Sequence, residues 1–329
     1  MASPNAVFTE LVSTTFRKHR RELKDNVSKN NALLRKLMAK GNYRTEDGGL
    51  TIVEPLDYAQ NQTYQRYSGY DVLDIGASDT ITSAEYQWRS IAMNVVSNGE
   101  ELRKNSGSSR IINLAKARIT NAMRTFKNNF SLDLYSDGSL PNQINGIQAL
   151  VSDTGTGTVG GIDSSVWTFW QNKVQSAAAP IGGGGAITVS SATMEQLWLP
   201  LWLQLTRGTD SPDLILADNN YYAMYEMSQT SLKRYTPADG RAGRLNGGAE
   251  PNGLLYKNAE VMFDGGSGIP ANHAYFLNTD YMELVVHQDA DLTINEEMRS
   301  INQDATVIPI LWMGNLTMSN RSLQGVAKA

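Results

Sequence analysis

The sequence predicts an α+β fold in one large or two ordinary domains. Three observations carry this. The chain has 329 residues with 41% apolar and 19% charged composition, enough for a sizeable core and unlike a disordered segment. One long helical stripe follows the serine-rich stretch at 105–109, and a series of short strand-like runs ends in an uninterrupted strand signal over 305–318.

The first element is basic. Residues 1–50 hold 10 Lys/Arg against 5 Asp/Glu, while the remainder holds 19 against 28. The overall charge of -4 therefore averages a basic arm and an acidic body. Phe8, Leu11, Val12 and Phe16, then Leu23, Val27, Leu34, Leu37 and Met38, recur at helical steps on either side of the cluster Arg17, Lys18, Arg20 and Arg21. Gly41 is the expected stop. The apolar stripe is thin, so an extended arm outside the core is expected, facing an acidic neighbour or a polyanion such as DNA.

From 51 to about 100 the helical period disappears. Thr63–Ile75 and Ser83–Val96 flank the turn-like stretch 76–79 and predict a long β-hairpin. It concentrates Tyr64, Tyr67, Tyr70, Tyr86 and Trp88 among Arg66, Arg89 and several acids. A hairpin this long is unstable alone in water, and its mixed composition suits a protein–protein surface.

The stripe Ile111, Leu114, Ile119, Met123, Phe126, Phe130 and Leu134 predicts a helix of about 27 residues, a rod of about 40 Å. Beyond it, IQALVSD (147–153) reads as a strand, and a short helix led by Asp163 carries Val166, Trp167 and Trp170. The low-complexity stretch 177–185 is a connector. Met194 to Leu205 is helical in spacing, with Pro200 predicting a kink or a later start. Asp213–Ala217 is a buried strand, Asp218 opens another helix, and strands follow at 259–263, 274–277 and 282–287. The strand at 305–318 closes a sheet begun earlier.

Little here points to catalysis. Cysteine is absent, which excludes disulfides, thiolate metal sites and thiol nucleophiles and suits a reducing compartment. No run reaches about 18 apolar residues, so no membrane partner is expected, and the first residues lack the pattern of a secretory signal. Gly155, Gly157 and Gly160 match GxGxxG, but the glycines do not run directly into a helix as a dinucleotide site requires. Asp289, Asp291, Thr293, Asn295 and Glu297 alternate like a calcium loop, yet Ile294 occupies the position that needs glycine. His19, His273 and His287 are too scattered for a metal site. No cofactor, metal or catalytic residue is assigned, and the expected role is structural.

The order of basic arm, long hairpin, spine helix, αβ region and returning strand resembles the major capsid proteins of tailed double-stranded DNA bacteriophages, with the Hong Kong 97-type fold. Residues 86–129, LYSDG (134–138), GIQALV (146–151), GGIDSSVWTFW (160–170), SPDLILADNNYYAMYE (211–226) and VIPILWMGNL (307–316) are similar to stretches of phage capsid sequences.

The resemblance implies an N-terminal arm (1–50), an extended loop lying on a neighbouring subunit (56–98), a peripheral domain (99–175) rejoined by 286–329, and an axial domain (176–285). It implies pentamers and hexamers of the chain itself, tiling an icosahedral shell. Portal and scaffold would be assembly partners, with a possible cementing or decoration protein, around DNA held by non-specific electrostatics. The implied location is the virion, built in the cytoplasm of a bacterial host. Tyr64, Arg66, Tyr67, Tyr86, Trp88 and Arg89 are the candidate intersubunit contacts of the loop. Arg17, Lys18, Arg20 and Arg21 are the candidate inner-face or neighbour contacts of the arm. The alternatives are an encapsulin-type compartment shell, a nucleotide-binding enzyme resting on 155–160, and a tail-tube or adhesion protein, against which the long helix counts.

Some members of the resembled family crosslink covalently through a loop lysine, whereas residues 60–102 here contain none. Purified particles are therefore expected to run as single chains on a denaturing gel, and a covalent ladder would refute this.

Overall fold

A computed structural model of the protein describes residues 31–98, 108–229, 254–264, 268–295, 298–299 and 303–329. Arg17, Lys18, Arg20, Arg21, His19 and Glu297 lie outside the described residues.

Helix α1 (Ala32–Lys40) is capped by the Asn31 side chain, which accepts the Leu34 N–H, and ends at Gly41 with φ 81°. The expectation of an arm outside the core fails here. Leu33, Leu34 and Leu37 are buried in the same cluster as Phe126 and Phe130. The basic residues of this helix also serve the body itself. Lys36 reaches Glu260 at 3.4 Å, and Lys40 reaches Asp213 at 3.0 Å and Asp280 at 2.6 Å.

Strands β1 (Tyr43–Glu46), β2 (Thr51–Asp57), β3 (Ile81–Gln87) and β4 (Arg89–Asn98) follow. β2 and β3 pair antiparallel from Thr51↔Gln87 to Asp57↔Ile81. The hairpin exists, but its first strand is β2 and not Thr63–Ile75, which forms no strand. The aromatic and β-branched residues of 63–75 have no partner strand, and such propensity needs a ladder and a packed face.

α2 (Ser108–Leu134) is the long helix, 27 residues as read from the stripe. IQALVSD begins with a helical turn, α3 (Ile147–Leu150), and is not a strand; Ile147 and Leu150 are buried at i, i+3 spacing, which a short apolar run does not distinguish from a strand. β5 (Thr158–Val159) and β6 (Ile162–Asp163) form a small hairpin. The helix expected after Asp163 reduces to a 3₁₀ turn at Thr168–Trp170, with Asp163 instead binding the Ser165 amide and hydroxyl.

After β7 (Lys173–Ser176), α4 (Met194–Leu205) starts where the spacing puts it and continues through Pro200. Proline removes the bond to the Gln196 carbonyl, but Gln196 is exposed, so water can satisfy it. β8 (Leu214–Ala217), α5 (Asn219–Ser228, capped by Asp218), β9 (Leu254–Tyr256), β10 (Ala259–Phe263), β11 (His273–Leu277) and β12 (Met282–His287) match the expected elements or their neighbours. β13 (Thr293–Ile294), β14 (Met298–Arg299), β15 (Ala305–Met318) and β16 (Gly325–Lys328) complete the chain order.

Two six-stranded sheets result. In the first, β15 pairs antiparallel with β4 along one edge and with β12, β13 and β14 along the other, while β1 adds parallel to β12. In the second, the order is β7-β16-β11-β8-β10-β9. This sheet is a wall between two cores. Leu214, Leu216, Tyr275 and Val326 face the core of α1 and α2, whereas Ile215, Ala217, Phe276 and Ala327 face α4 and α5. Residues 325–328 thus join the second sheet and do not stay with β15.

Between β15 and β16 sits Arg321, fully buried. Its Nε donates to the Leu150 carbonyl at 2.7 Å, Nη1 to Ser164 Oγ at 2.9 Å, and Nη2 to Ser152 Oγ at 3.0 Å. None of these partners is a carboxylate. Burial lowers its pKa to about 10, which leaves it charged at neutral pH. Arg321→Met is expected to leave those acceptors without donors and to cost about 3 kcal/mol or more. A lowered urea midpoint of the unassembled chain checks this; an unchanged midpoint would refute it.

A second charged node joins the strands at the base of the hairpin. Arg44 on β1 meets Glu46 at 3.1 Å, Glu283 on β12 at 3.3 Å, and the buried Glu54 on β2. Burial pushes the Glu54 carboxyl above the ordinary glutamate range, an effect that the Arg44 guanidinium only partly offsets. A carboxyl raised in the folded state binds its proton more tightly there than when unfolded. Its contribution to stability therefore declines as pH rises from about 4.5 through the folded value. The stability of the wild type relative to Glu54→Gln is expected to fall across that window, measured by urea denaturation at several pH values. A difference that does not vary with pH would refute it.

Candidate intersubunit surface

The loop between β2 and β3, residues 58–80, projects as a finger. Its two arms are held side by side by few bonds: Tyr58 N–H to the Thr80 carbonyl at 3.0 Å, Gln62 N–H to Ser78 Oγ at 3.2 Å, and Gln65 Nε2 to the Val72 carbonyl at 3.1 Å. Its apolar side chains are not covered by the body. Tyr64 is 81% and Tyr67 68% exposed, and Tyr70, Val72 and Ile75 are more open still. The carboxylates of the finger serve its own turns: Asp71 accepts the Ser68 N–H at 2.8 Å and Asp74 the Gly76 N–H at 2.9 Å. Tyr64, Arg66 and Tyr67 are each exposed on the arm that leads to the turn at 68–71.

The base is the opposite, tightly packed. Tyr86 is 1% exposed and donates its hydroxyl to the Met318 carbonyl at 2.8 Å. The expectation that Tyr86 contacts a neighbour is therefore corrected: alternation along β3 turns it inward, into the core of its own subunit. Trp88 is half-buried, donating to the Gly49 carbonyl at 3.0 Å and lying edge-on to His287. Arg89 begins β4, half-buried against the body. Of the six proposed contact residues, Tyr64, Arg66 and Tyr67 are free on the finger, and the other three belong to its root.

The glycine-rich segment explains itself at this root. Gly155, Gly157 and Gly160 lead through the hairpin β5–β6 and not from a strand into a helix, so the dinucleotide geometry is missing. Gly160 adopts φ 59°, and its carbonyl accepts the Glu85 N–H at 2.9 Å. A Cβ at Gly160 would fall 2.8 Å from that of Ala84 and 3.2 Å from the Tyr86 ring, so the backbone of the segment presses directly on β3. The segment is a bracket for the finger.

Between bracket and finger lies an open groove of about 440 Å³. Tyr58, Trp167 and Phe169 form its aromatic wall, with ring centroids 5.6 to 6.2 Å apart. Trp167 is 50% exposed and Val166 more so. Asp79 and Asp163 stand in its lining, which contains no lysine or arginine among the described residues. The Ser165 hydroxyl and amide hold the Asp163 carboxyl below the usual range, so it is ionised at neutral pH.

The other polar candidates have structural partners. His273 sits between the Ala271 carbonyl at 2.8 Å and Asp153 at 3.0 Å, and His287 accepts the Asp289 N–H at 3.1 Å. Asp291 accepts the Tyr43 hydroxyl at 2.9 Å, and Thr293 Oγ1 donates to the Asp289 carbonyl at 2.7 Å. Among the described residues no group of three or more His, Asp or Glu side chains is placed to hold a metal ion.

No family model and no curated protein matches the chain by sequence. Solved structures do match. The chain is similar to the cyanophage A-1(L) capsid, with TM-score 0.59 and 17% identity over 87% of this chain and 90% of that one. It is similar to the capsid of an empty GTA particle, with TM-score 0.53 and 10% identity over 88% of each chain. A chain of Mycobacterium phage Bobi matches with TM-score 0.51 and 10% identity, over 88% and 89%. The likeness covers 87 to 88% of the chain at 10 to 17% identity, and what it shows is architecture. With two mixed sheets, a long spine helix and a projecting finger, the chain has the Hong Kong 97-type capsid fold.

Proposed function

We propose that the protein is a shell-forming major capsid protein of a tailed double-stranded DNA bacteriophage, acting by self-assembly and not by catalysis. One observation carries the reading: on a capsid-type fold, the 58–80 finger exposes a run of large apolar side chains that the described residues leave uncovered. Exposed apolar surface of this extent on an otherwise well-packed body marks a binding surface. The occupant that every assembling subunit has at hand is another copy.

In this reading, residues 56–98 form the extended loop across a neighbour, and 99–175 with the β15 region form the peripheral domain. The wall sheet with α4 and α5 surrounds the axes of pentamers and hexamers. α1 is part of the body, so the proposed arm does not include residues 32–40. Its cluster Arg17, Lys18, Arg20 and Arg21 faces the shell interior or a neighbour, where backbone electrostatics suffices for DNA packed without sequence preference. Portal and scaffold act during assembly in the host cytoplasm, and a cementing protein is a further partner of the finished virion shell.

The protein expressed alone at micromolar concentration is expected to form closed shells or their pentameric and hexameric capsomers. Negative-stain microscopy with size-exclusion chromatography reads the outcome, and a protein that stays monomeric at all concentrations would overturn the proposal.

A further inference from the structure

The groove beside the root of the finger combines three aromatic rings with two carboxylates and no cation among its described lining residues. We propose that it binds aliphatic diamines and polyamines. Their charged ends pair with Asp79 and Asp163, and the methylenes between lie against Tyr58 and Trp167. The site is built by one chain alone, so the proposal does not rest on the shell reading.

Charge selects the ligand class. Residues 45–88 and 128–172, which supply the whole lining, carry eight and four carboxylates. Their one lysine or arginine is Arg66, which is not in the lining. The Asp79 side chain makes no hydrogen bond or ion pair with any described residue. Asp163 spends one oxygen, Oδ1, on the Ser165 amide at 2.9 Å and hydroxyl at 2.6 Å. Its Oδ2 has no partner among the described residues. An anionic ligand would meet two like charges here, whereas a cation meets only opposite ones.

The aromatic wall narrows the class further. Hydrated metal ions keep their water and gain little from rings. An alkylammonium offers a diffuse charge that ring faces attract, and apolar methylenes that they cover. The Tyr58 and Trp167 centroids lie 6.0 Å apart, edge to face, with Phe169 5.6 Å from Tyr58. Phe169 leans at 6.2 Å on the buried Trp170, whose indole N–H is fixed to the Val159 carbonyl at 2.9 Å. The Trp167 amide donates to the Asp163 carbonyl at 2.9 Å, which ties the half-exposed ring to one of the carboxylates. Groups held in place this way lose little freedom when a ligand arrives. The groove's volume of about 440 Å³ falls within the usual range for small-molecule sites.

Isothermal titration calorimetry of the full chain with spermidine, putrescine and butylamine tests the site. Spermidine is expected to bind at one equivalent per chain, and butylamine, with one charged end, about tenfold more weakly than putrescine. Asp79→Asn and Trp167→Leu are each expected to weaken spermidine about tenfold. Asp79 ties nothing in the fold, so its variant keeps the test valid if Trp167→Leu disturbs the wall. Butylamine binding as tightly as putrescine would overturn the pairing with two carboxylates. Spermidine displaced as readily by magnesium chloride as by putrescine would be a diffuse counterion of the acidic body, and would overturn the site. So would an affinity that Asp79→Asn leaves unchanged. A chain that binds spermidine but stays monomeric would keep this site and sink the shell reading; shells that bind none would do the reverse.

Discussion

The ladder between β4 and β15 is the constraint on which the rest of the arrangement depends. It runs through ten register pairs, from Arg89↔Gly314 to Asn98↔Ala305, while β12 holds the opposite edge of β15 from Met282↔Met318 to Val286↔Gly314. Gly314 belongs to both ladders. A Cβ there would lie 2.5 Å from the Val285 carbonyl oxygen and 2.9 Å from the Trp312 ring, so the close approach needs glycine. A one-residue slip of β4 would turn Met93 and Val95 outward and Asn94 and Val96 inward, reversing the half of the sheet that packs on the spine helix. The root of the finger is thereby fixed to the body with the precision of a sheet register, although the finger itself is barely held.

That contrast explains the chemistry of the surface. At the root, β3 is locked by Tyr86 and by the Gly160 bracket, and β2 by the Arg44 carboxylate node. Beyond Tyr58 the bonds thin to single side-chain contacts and the apolar side chains face outward. The finger is thus mounted rigidly at its root and held by few hydrogen bonds beyond it. Apolar and aromatic contacts suit such a joint because they tolerate small rotations better than a strand ladder does.

Much of this architecture was legible in the sequence. The α2 stripe, the Asp218 cap, the LILA strand and the long β15 run each show a period or a capping residue that local physics reads directly. Other parts were not, for physical reasons. The tyrosines and β-branched residues of 63–75 have strand propensity but no partner, and propensity without a ladder does not make a strand. The run IQAL is too short for its period to separate helix from strand. α1 looked like a free arm because Leu33, Leu34 and Leu37 make a narrow stripe; its burial depends on Phe126 and Phe130, some ninety residues away. At the candidate surface, Tyr64, Arg66 and Tyr67 were found by composition alone. The groove was not, since Tyr58, Asp79, Asp163 and Trp167 come together only through the β5–β6 bracket. Trp167 was visible as an aromatic residue in a polar stretch, but nothing local said that it would stay half in solvent.

The position of β16 has a consequence in time. Its four residues, Gly325–Lys328, are inserted between β7 and β11, and Arg321 just before them ties together loops at 150, 152 and 164. A ribosome supplies these residues after all of their partners. Until then the wall between the two cores lacks an inner strand, and three loops lack the donor that joins them. Such long-range closures are slow steps in folding. The bracket that positions the finger is among the parts left waiting, so a nascent chain does not present a finished binding surface.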